Sequence, residues 1–392
     1  MNLKQIETVV ASYVAAAKSA GVWNTTTNNL AKLVDKIAKT ITIDGLFADK
    51  LEILNGASLP FGKTVEEYFQ ELDNVVDYND YSSSGDAADD ALKPYYPSYR
   101  PASYNYTLGR KKIPTTIKYD DYERACNNPD EFQTITNMVI KRLYDTYAVF
   151  KYNCKKQMIA NYIGLCNSLK TSSTAISNLG ETANPVQYHS SSTSTARTGT
   201  LVANNRYYIG ASMAAATHVA ICVKARASAS KTWAEDIAAG NLVELNLIQT
   251  MSAVTDTATS EAFIEQVKKD VESAQFVTEG NSLNGGTIGA AEGLVLIVNK
   301  GIMPTLDVQA LSGAFHEEKL ALPAEVIVVD NFANDNTGAF AILTDRRSMR
   351  LHPSYMAVRE QLNGAGDYMN YFLHTENTAF ISRNTFVKVY KA

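Results

Sequence analysis

"DEFQTITNMVIKRLYDTYAVFKYNCKKQMIANYIGL", residues 130–165, contains no proline and no glycine before Gly164. Within it Phe132, Ile135, Val139, Leu143, Tyr147, Phe150, Cys154, Met158 and Tyr162 recur every three or four residues. That is the spacing of one face of an α-helix. At 1.5 Å per residue the rod would be on the order of 50 Å long, more than a single-domain enzyme ordinarily needs. "NNPD" (127–130) precedes it and supplies a turn with an aspartate in capping position. A long buried rod asks for sheets or other helices along its whole length, so the flanking sequence must provide them.

Upstream, from Leu59 to about Cys126, tyrosines crowd in, prolines recur in "KPYYPSYRP" and "YSSSGDAADD" reads as a loop tip. Charges in this stretch are sorted. Residues 66–90 hold nine acids (Glu66, Glu67, Glu71, Asp73, Asp77, Asp80, Asp86, Asp89 and Asp90) and no base, whereas residues 93–118 hold six bases (Lys93, Arg100, Arg110, Lys111, Lys112 and Lys118) and no acid. An acidic limb followed by a basic one describes an out-and-back excursion. Its aromatics, Tyr95 and Tyr96 among them, are of the type enriched at protein interfaces. The reading that follows is an arm lying on a neighbouring subunit. Local conformation is contested at Val65, Tyr68, Phe69, Leu72, Val75 and Val76, whose spacing is helical although a long hairpin would need extended chain. The first fifty residues carry two amphipathic helical patterns separated by "WNTTTNN".

Downstream, residues 170–205 are rich in Ser, Thr and Asn and read as loop. "NLVELNLIQT" alternates like a strand. "TDTATSEAFIEQVKKDVESAQF" is a helix with Ser260 in N-cap position and Phe263, Ile264, Val267 and Val271 as its buried stripe. "GLVLIVNKG", "EVIVVDNF" and "GAFAILTD" are apolar strands, so residues 256–345 suit a small α+β unit. No repeat period is present.

Chemistry is harder to find. The chain of 392 residues has a net charge of -5 and no basic excess, which argues against a dedicated nucleic-acid binder. Cys126, Cys154, Cys166 and Cys222 have no paired spacing and are expected as reduced thiols. No apolar run is long enough for a membrane-spanning helix, and a soluble chain is expected. In "NGASLPFGKTVEE" (55–67) five residues, not four, separate Gly56 from Gly62-Lys63-Thr64, and Pro60 removes an amide. A phosphate-binding loop needs four residues there and all its amides, although Val326–Val329 followed by Asp330 keeps a nucleotide-hydrolase alternative open. His316-Glu317-Glu318 lacks the second histidine of a zinc-protease helix, and "GASMA" around Ser212 lacks the second glycine of a nucleophile elbow. No catalytic, cofactor-binding or metal-ligating set is expected.

The C-terminal stretch "ILTDRRSMRLHPSYMAVREQLNGAGDYMNYFLHTENTAFISRNTFVKVYKA" (342–392), with "FGKTVEEYFQEL" (61–72) upstream and the long helix between, resembles the major capsid proteins of tailed bacteriophages, particularly those of small short-tailed phages. The resemblance implies an α+β, HK97-like phage capsid fold. Its parts would be an N-terminal arm (1–58), an extended loop (59–126), a peripheral domain with the spine helix (127–255), an axial domain (256–345) and return strands of the peripheral domain (346–392). It favours extended chain after Gly62-Lys63-Thr64. It implies a self-assembling shell of hexamers and pentamers around double-stranded DNA, with portal and scaffolding or minor head proteins as partners, assembled in the host bacterial cytoplasm and residing in the virion. Residues 346–392 carry seven bases against three acids. The acids Glu66, Glu67, Glu71 and Asp73, with Tyr95 and Tyr96, are therefore expected to meet either Arg110, Lys111 and Lys112 or Arg346, Arg347 and Arg350 of the next subunit. A packaging-type ATPase and another virion structural protein stand as alternatives.

Overall fold

The computed structural model describes residues 49–59, 64–70, 99–102, 105–118, 129–168, 187–188, 197–202, 206–210, 216–276, 278–287, 293–306, 324–332 and 338–392. The elements begin with β1 (Glu67–Gln70), β2 (Tyr99–Ala102), β3 (Asn105–Lys118) and α1 (Pro129–Ser168). Next come β4 (Gln187–Tyr188), β5 (Arg197–Leu201), β6 (Arg206–Gly210), β7 (Ala216–Cys222), β8 (Arg226–Lys231), α2 (Trp233–Ala238), β9 (Leu242–Glu244) and β10 (Ile248–Thr250). The chain continues with α3 (Thr257–Ser273), β11 (Thr278–Glu279), β12 (Gly286–Thr287), β13 (Leu294–Asn299), β14 (Glu325–Val329), β15 (Ala339–Asp345), β16 (Met349–Asn363), β17 (Tyr368–Ile381) and β18 (Val387–Lys391).

The run expected to be a rod is one: α1 spans 40 residues, about 60 Å. Pro129 opens it, where a missing backbone N–H costs nothing. Its two halves bury different partners. Leu143 and Tyr147 pack on Leu373 of β17, with Ile113, Met356 and Val358 closing over them. Met158, Ile159, Tyr162, Ile163 and Cys166 enter the main core with Leu51, Leu54, Val295, Ile297, Ile342, Val387 and Val389. A fully buried Leu or Ile contributes about 1.5–3 kcal/mol, so the helix is held from Leu143 to Cys166 by the sheets beneath it.

That main core is one face of a five-stranded sheet in the order β10-β18-β15-β13-β14. Alternation along β13 sends Val295 and Ile297 toward α1, and Leu294, Leu296 and Val298 toward Phe263, Ile264, Val267 and Val271 of α3. Because both faces are covered, β13 and β14 read as unbroken apolar runs. The sheet takes strands from segments that the sequence divides. β18, grouped there with the return strands, lies between β15 and β10. The reason is that Val387 and Val389 fill one core while Tyr390 fills the other.

Two local expectations change. α3 is capped by Asp256 in a capping box with Thr259, while Ser260 is buried inside the first turn and donates to the Asp256 carbonyl at 2.7 Å. "NLVELNLIQT" is two strands: β9 pairs with β7 and β10 with β18, and Leu245 and Leu247 are buried where the chain crosses from one sheet to the other.

The third large element is the antiparallel sheet β16-β17-β3. β16 and β17 form a long hairpin whose tip is tied by Asn363: its Oδ1 accepts from the Ala365 and Gly366 amides at 3.1 Å each, and its Nδ2 donates to the Tyr368 hydroxyl. β3, assigned by sequence to the extended loop, pairs with β17 from Asn105–Phe380 to Lys118–Tyr368. Residues 105–118 are thus sewn into their own chain. At 67–70 the extended conformation prevails over the helical spacing, since β1 pairs antiparallel with β2 from Glu67–Ala102 to Gln70–Tyr99. The two amphipathic patterns of residues 1–48 lie outside the described residues.

Candidate assembly surface

Residues 71–98 lie outside the description, but the neck from which they leave does not. Asn105 closes it: its Oδ1 accepts the Val65 amide at 2.9 Å and its Nδ2 donates to the Val65 carbonyl at 2.8 Å. One side chain thereby imitates a strand bridge just before β1 pairs with β2. Glu66 is exposed here. Glu67 points into its own chain, where the Ser382 hydroxyl donates to Oε1 at 2.6 Å. Glu71, Asp73, Tyr95 and Tyr96 lie outside the described residues.

Beside the neck, the outer face of β16-β17-β3 is cationic and aromatic. Lys112, Lys118 and Arg359 are exposed on it, while Lys111, exposed too, alternates to the α1-facing side with Ile113. The Lys112 ammonium lies 5.5 Å from the Phe372 ring centre, and the Arg110 guanidinium 4.8 Å from that of Tyr355. Arg110 also donates from Nε to Glu376 Oε2 at 3.0 Å, although it is 66% exposed and Glu376 only 4%. Both neighbours of β17 shift register here, β16 between Pro353 and Tyr355 and β3 opposite Thr375 and Asn377. Coincident bulges bend a sheet. Arg110 covers the acid left at that bend.

The second basic group is spent largely within the chain. Arg346 is ion-paired with Glu325. Arg347 meets Asp345 at 2.9 Å, which raises the guanidinium above its usual range. Arg350 donates to the carbonyls of Ile53 and Asn55 at 3.4 and 3.1 Å.

Those last contacts belong to a strap, residues 49–59, stretched across α1 and the root of β16. Lys155 of α1 is wholly buried, paired with Asp49 and donating to the Leu51 carbonyl at 3.1 Å. Burial pushes its amine below the usual lysine value despite that partner. Further along, the Gly56 amide donates to Leu351, the Leu59 amide to Pro353, and His352 Nδ1 to the Ala57 carbonyl at 2.8 Å. One helical position later, Lys156 binds Asp330 at 2.7 Å and Tyr152 donates to the same carboxylate. These bonds hold Asp330 below the usual carboxylate range. Asp330, the residue that a nucleotide hydrolase would use for magnesium, therefore has a structural task.

Sequence reasoning missed Asn105, His352, Glu376 and the Lys155–Asp49 pair. Only Lys155 left a signal, as a lysine between the apolar positions 154 and 158 of a helix. Among the described residues no group of His, Cys, Asp and Glu could hold a metal, and no helix is long and apolar enough to cross a membrane.

The sequence model of the family described as Phi29-like phage major capsid protein matches residues 4–207 and 229–388. The major capsid protein of Bacillus phage PZA is 29% identical over 150 residues, 37% of this chain and 33% of that protein. That of Bacillus phage GA-1 is 29% identical over 103 residues, 26% of this chain and 21% of that protein. The aligned part is thus a third or less of those relatives. Among solved structures, a chain in the capsid of Staphylococcus phage Andhra superposes with a TM-score of 0.52 at 10% identity, covering 89% of this chain and 85% of that one. A chain in a structure of native bacteriophage P68 gives 0.52 at 11% identity, covering 89% and 86%. The α+β fold of this chain is the fold that those two chains share.

Proposed function

Because the chain belongs to the Phi29-like phage major capsid protein family, we propose that it is the repeating subunit of an icosahedral or prolate head shell enclosing a phage genome. The observation that carries this reading is the neck. β1 and β2 leave the body as a two-stranded stem closed by the Val65–Asn105 clasp, and 28 residues, 71–98, separate them. A stem of that kind serves reach beyond the subunit better than it serves a pocket. Hexamers and pentamers are its products, portal and scaffolding or minor head proteins its partners, the host cytoplasm its place of assembly and the virion its destination. Its role is structural, with no catalytic residue or cofactor.

Between copies, the acidic limb (Glu66, Glu71, Asp73 and beyond) meets the β16-β17-β3 sheet, where Lys112 stands exposed on the outer face and Lys111 on the opposite one. Tyr95 and Tyr96 add apolar contact. Exposed ion pairs contribute only about 0–1 kcal/mol each. They set register, while apolar contacts and repetition around a closed shell supply the affinity. A weakly acidic subunit also suits a DNA container, since tight phosphate binding would hinder packing and release.

Negative-stain microscopy of the purified, concentrated chain tests this directly. Closed shells or curved capsomer sheets are expected. Fibres, or nothing beyond isolated subunits over a range of concentration and salt, would overturn it, and saturable binding of a labelled ATP would favour the motor alternative.

A further inference from the structure

Glu67 heads β1 opposite Ala102 of β2, where the stem leaves the body, and any residue able to adopt extended backbone would serve that pairing. Its side chain nevertheless turns inward. Ser382, just past β17, donates to Oε1 at 2.6 Å, and Oε2 is buried with no hydrogen-bond partner among the described residues. The Arg347 guanidinium senses the Glu67 carboxylate, and so does the wholly buried phenol of Tyr162 on α1. Burying a carboxylate oxygen without a direct donor is unfavourable, so the arrangement persists because the rest of the fold imposes it. It connects the stem to the turn between the long hairpin and β18. The Asn105 clasp ties the two limbs of the stem to each other. Glu67 ties them to the body through Ser382.

We propose that Glu67 is a positioning residue: through Ser382 it fixes the direction of the β1–β2 stem on the body, and so, in a shell, the neighbour at which the stem is aimed. This rests on the shell reading for its consequence and on the neck alone for its geometry. The acid that sequence reasoning assigns to a neighbouring subunit is used instead to aim the segment that carries the other acids.

Amide hydrogen exchange on the full chain separates the two. Glu67→Ala is expected to speed exchange at least tenfold at residues 65–70 and 99–105 while β13 and β15 keep their protection. Glu67→Gln, which retains an acceptor for Ser382, is expected to stay within threefold of the parent. In micrographs Glu67→Ala should give irregular particles and Glu67→Gln regular ones. Unchanged exchange at the neck in both Glu67→Ala and Ser382→Ala overturns the proposal. Should Glu67→Ala lose protection throughout, Ser382→Ala decides by itself, its neck loosening or not. If the parent chain makes no shells yet Glu67→Ala loosens the neck, the shell reading fails and the anchor stands.

Discussion

Gly56→Ala tests whether the strap is a fixed part of the fold. A methyl at Gly56 would sit 2.6 Å from His352 Cγ and nearer still to Nδ1 and Cε1. Real methyl groups do not approach a ring so closely, and this ring cannot step aside: His352 is 9% exposed and its Nδ1 is bonded to the Ala57 carbonyl. The strap must lift, straining or losing the bonds from Gly56 to Leu351, from Leu59 to Pro353 and from His352 to Ala57. At about 1 kcal/mol net per hydrogen bond, and with overpacking usually costing 1–3 kcal/mol, the loss should be about 2–3 kcal/mol. For a chain of this size that lowers Tm by about 3 °C. Urea denaturation of unassembled subunits measures it. His352→Ala is destabilising alone, but adding Gly56→Ala to it should cost almost nothing further, because the methyl then has room. An unchanged urea midpoint in Gly56→Ala, or a double variant whose losses simply add, would refute the steric reasoning.

Removing Asp49 and removing Lys155 should differ sharply. Asp49→Ala leaves a buried ammonium with only a carbonyl and should cost about 3–5 kcal/mol, whereas Lys155→Met removes the charge with its partner's task and should cost less than about 1.5 kcal/mol in the same denaturation assay. Because Lys155 has its amine depressed by burial, the unfolded chain holds more protons in the window just below the usual lysine value, so its contribution to stability should rise with pH there and flatten in Lys155→Met. Among the thiols, Cys166 is buried and pushed up to about 12, so a thiol reagent at pH 8 should label half-buried Cys154 at least tenfold faster and reach Cys166 only on unfolding. Lys111→Glu with Lys112→Glu should abolish shells in micrographs and leave the urea midpoint within about 0.5 kcal/mol of the parent. Adding Arg110→Glu should lower it further, by roughly 1–3 kcal/mol, since Glu376 then faces an acid across a buried bond.

What the sequence disclosed follows from how local each signal is. The rod was legible because nothing in residues 130–163 breaks a helix, and β13 and β14 because strands covered on both faces lose their alternation. At 67–70 the local signal misled: Val65, Tyr68, Phe69 and Leu72 have helical spacing, yet the partner that makes Tyr68 and Phe69 a strand is β2, some thirty residues on. The N-cap of α3 was placed at Ser260 instead of Asp256 for a related reason. Both are capping residues, and the choice between them is made by which register buries Phe263 and Val267. Glu67 and Glu376 look like ordinary surface acids because their partners stand 315 and 266 residues away.

The internal use of arginine bears on how copies of the chain can hold one another. Arg110, Arg346 and Arg347 each face a carboxylate of their own chain, and Arg350 holds two carbonyls of the strap. Lys112 and Lys118 stand exposed on the outer face of β16-β17-β3 beside Arg359. The distinction matters physically. An arginine fork makes rigid paired hydrogen bonds, while a lysine is a mobile, strongly hydrated point charge whose contacts are individually weak and readily broken. The chain thus uses these arginines within its own fold, at the strap, the hairpin root and the bend at Glu376. In the proposed shell, lysines would make the contacts between copies. Weak, screened contacts let a wrongly placed subunit depart before its neighbours lock it in, and only a closed shell adds enough of them to persist.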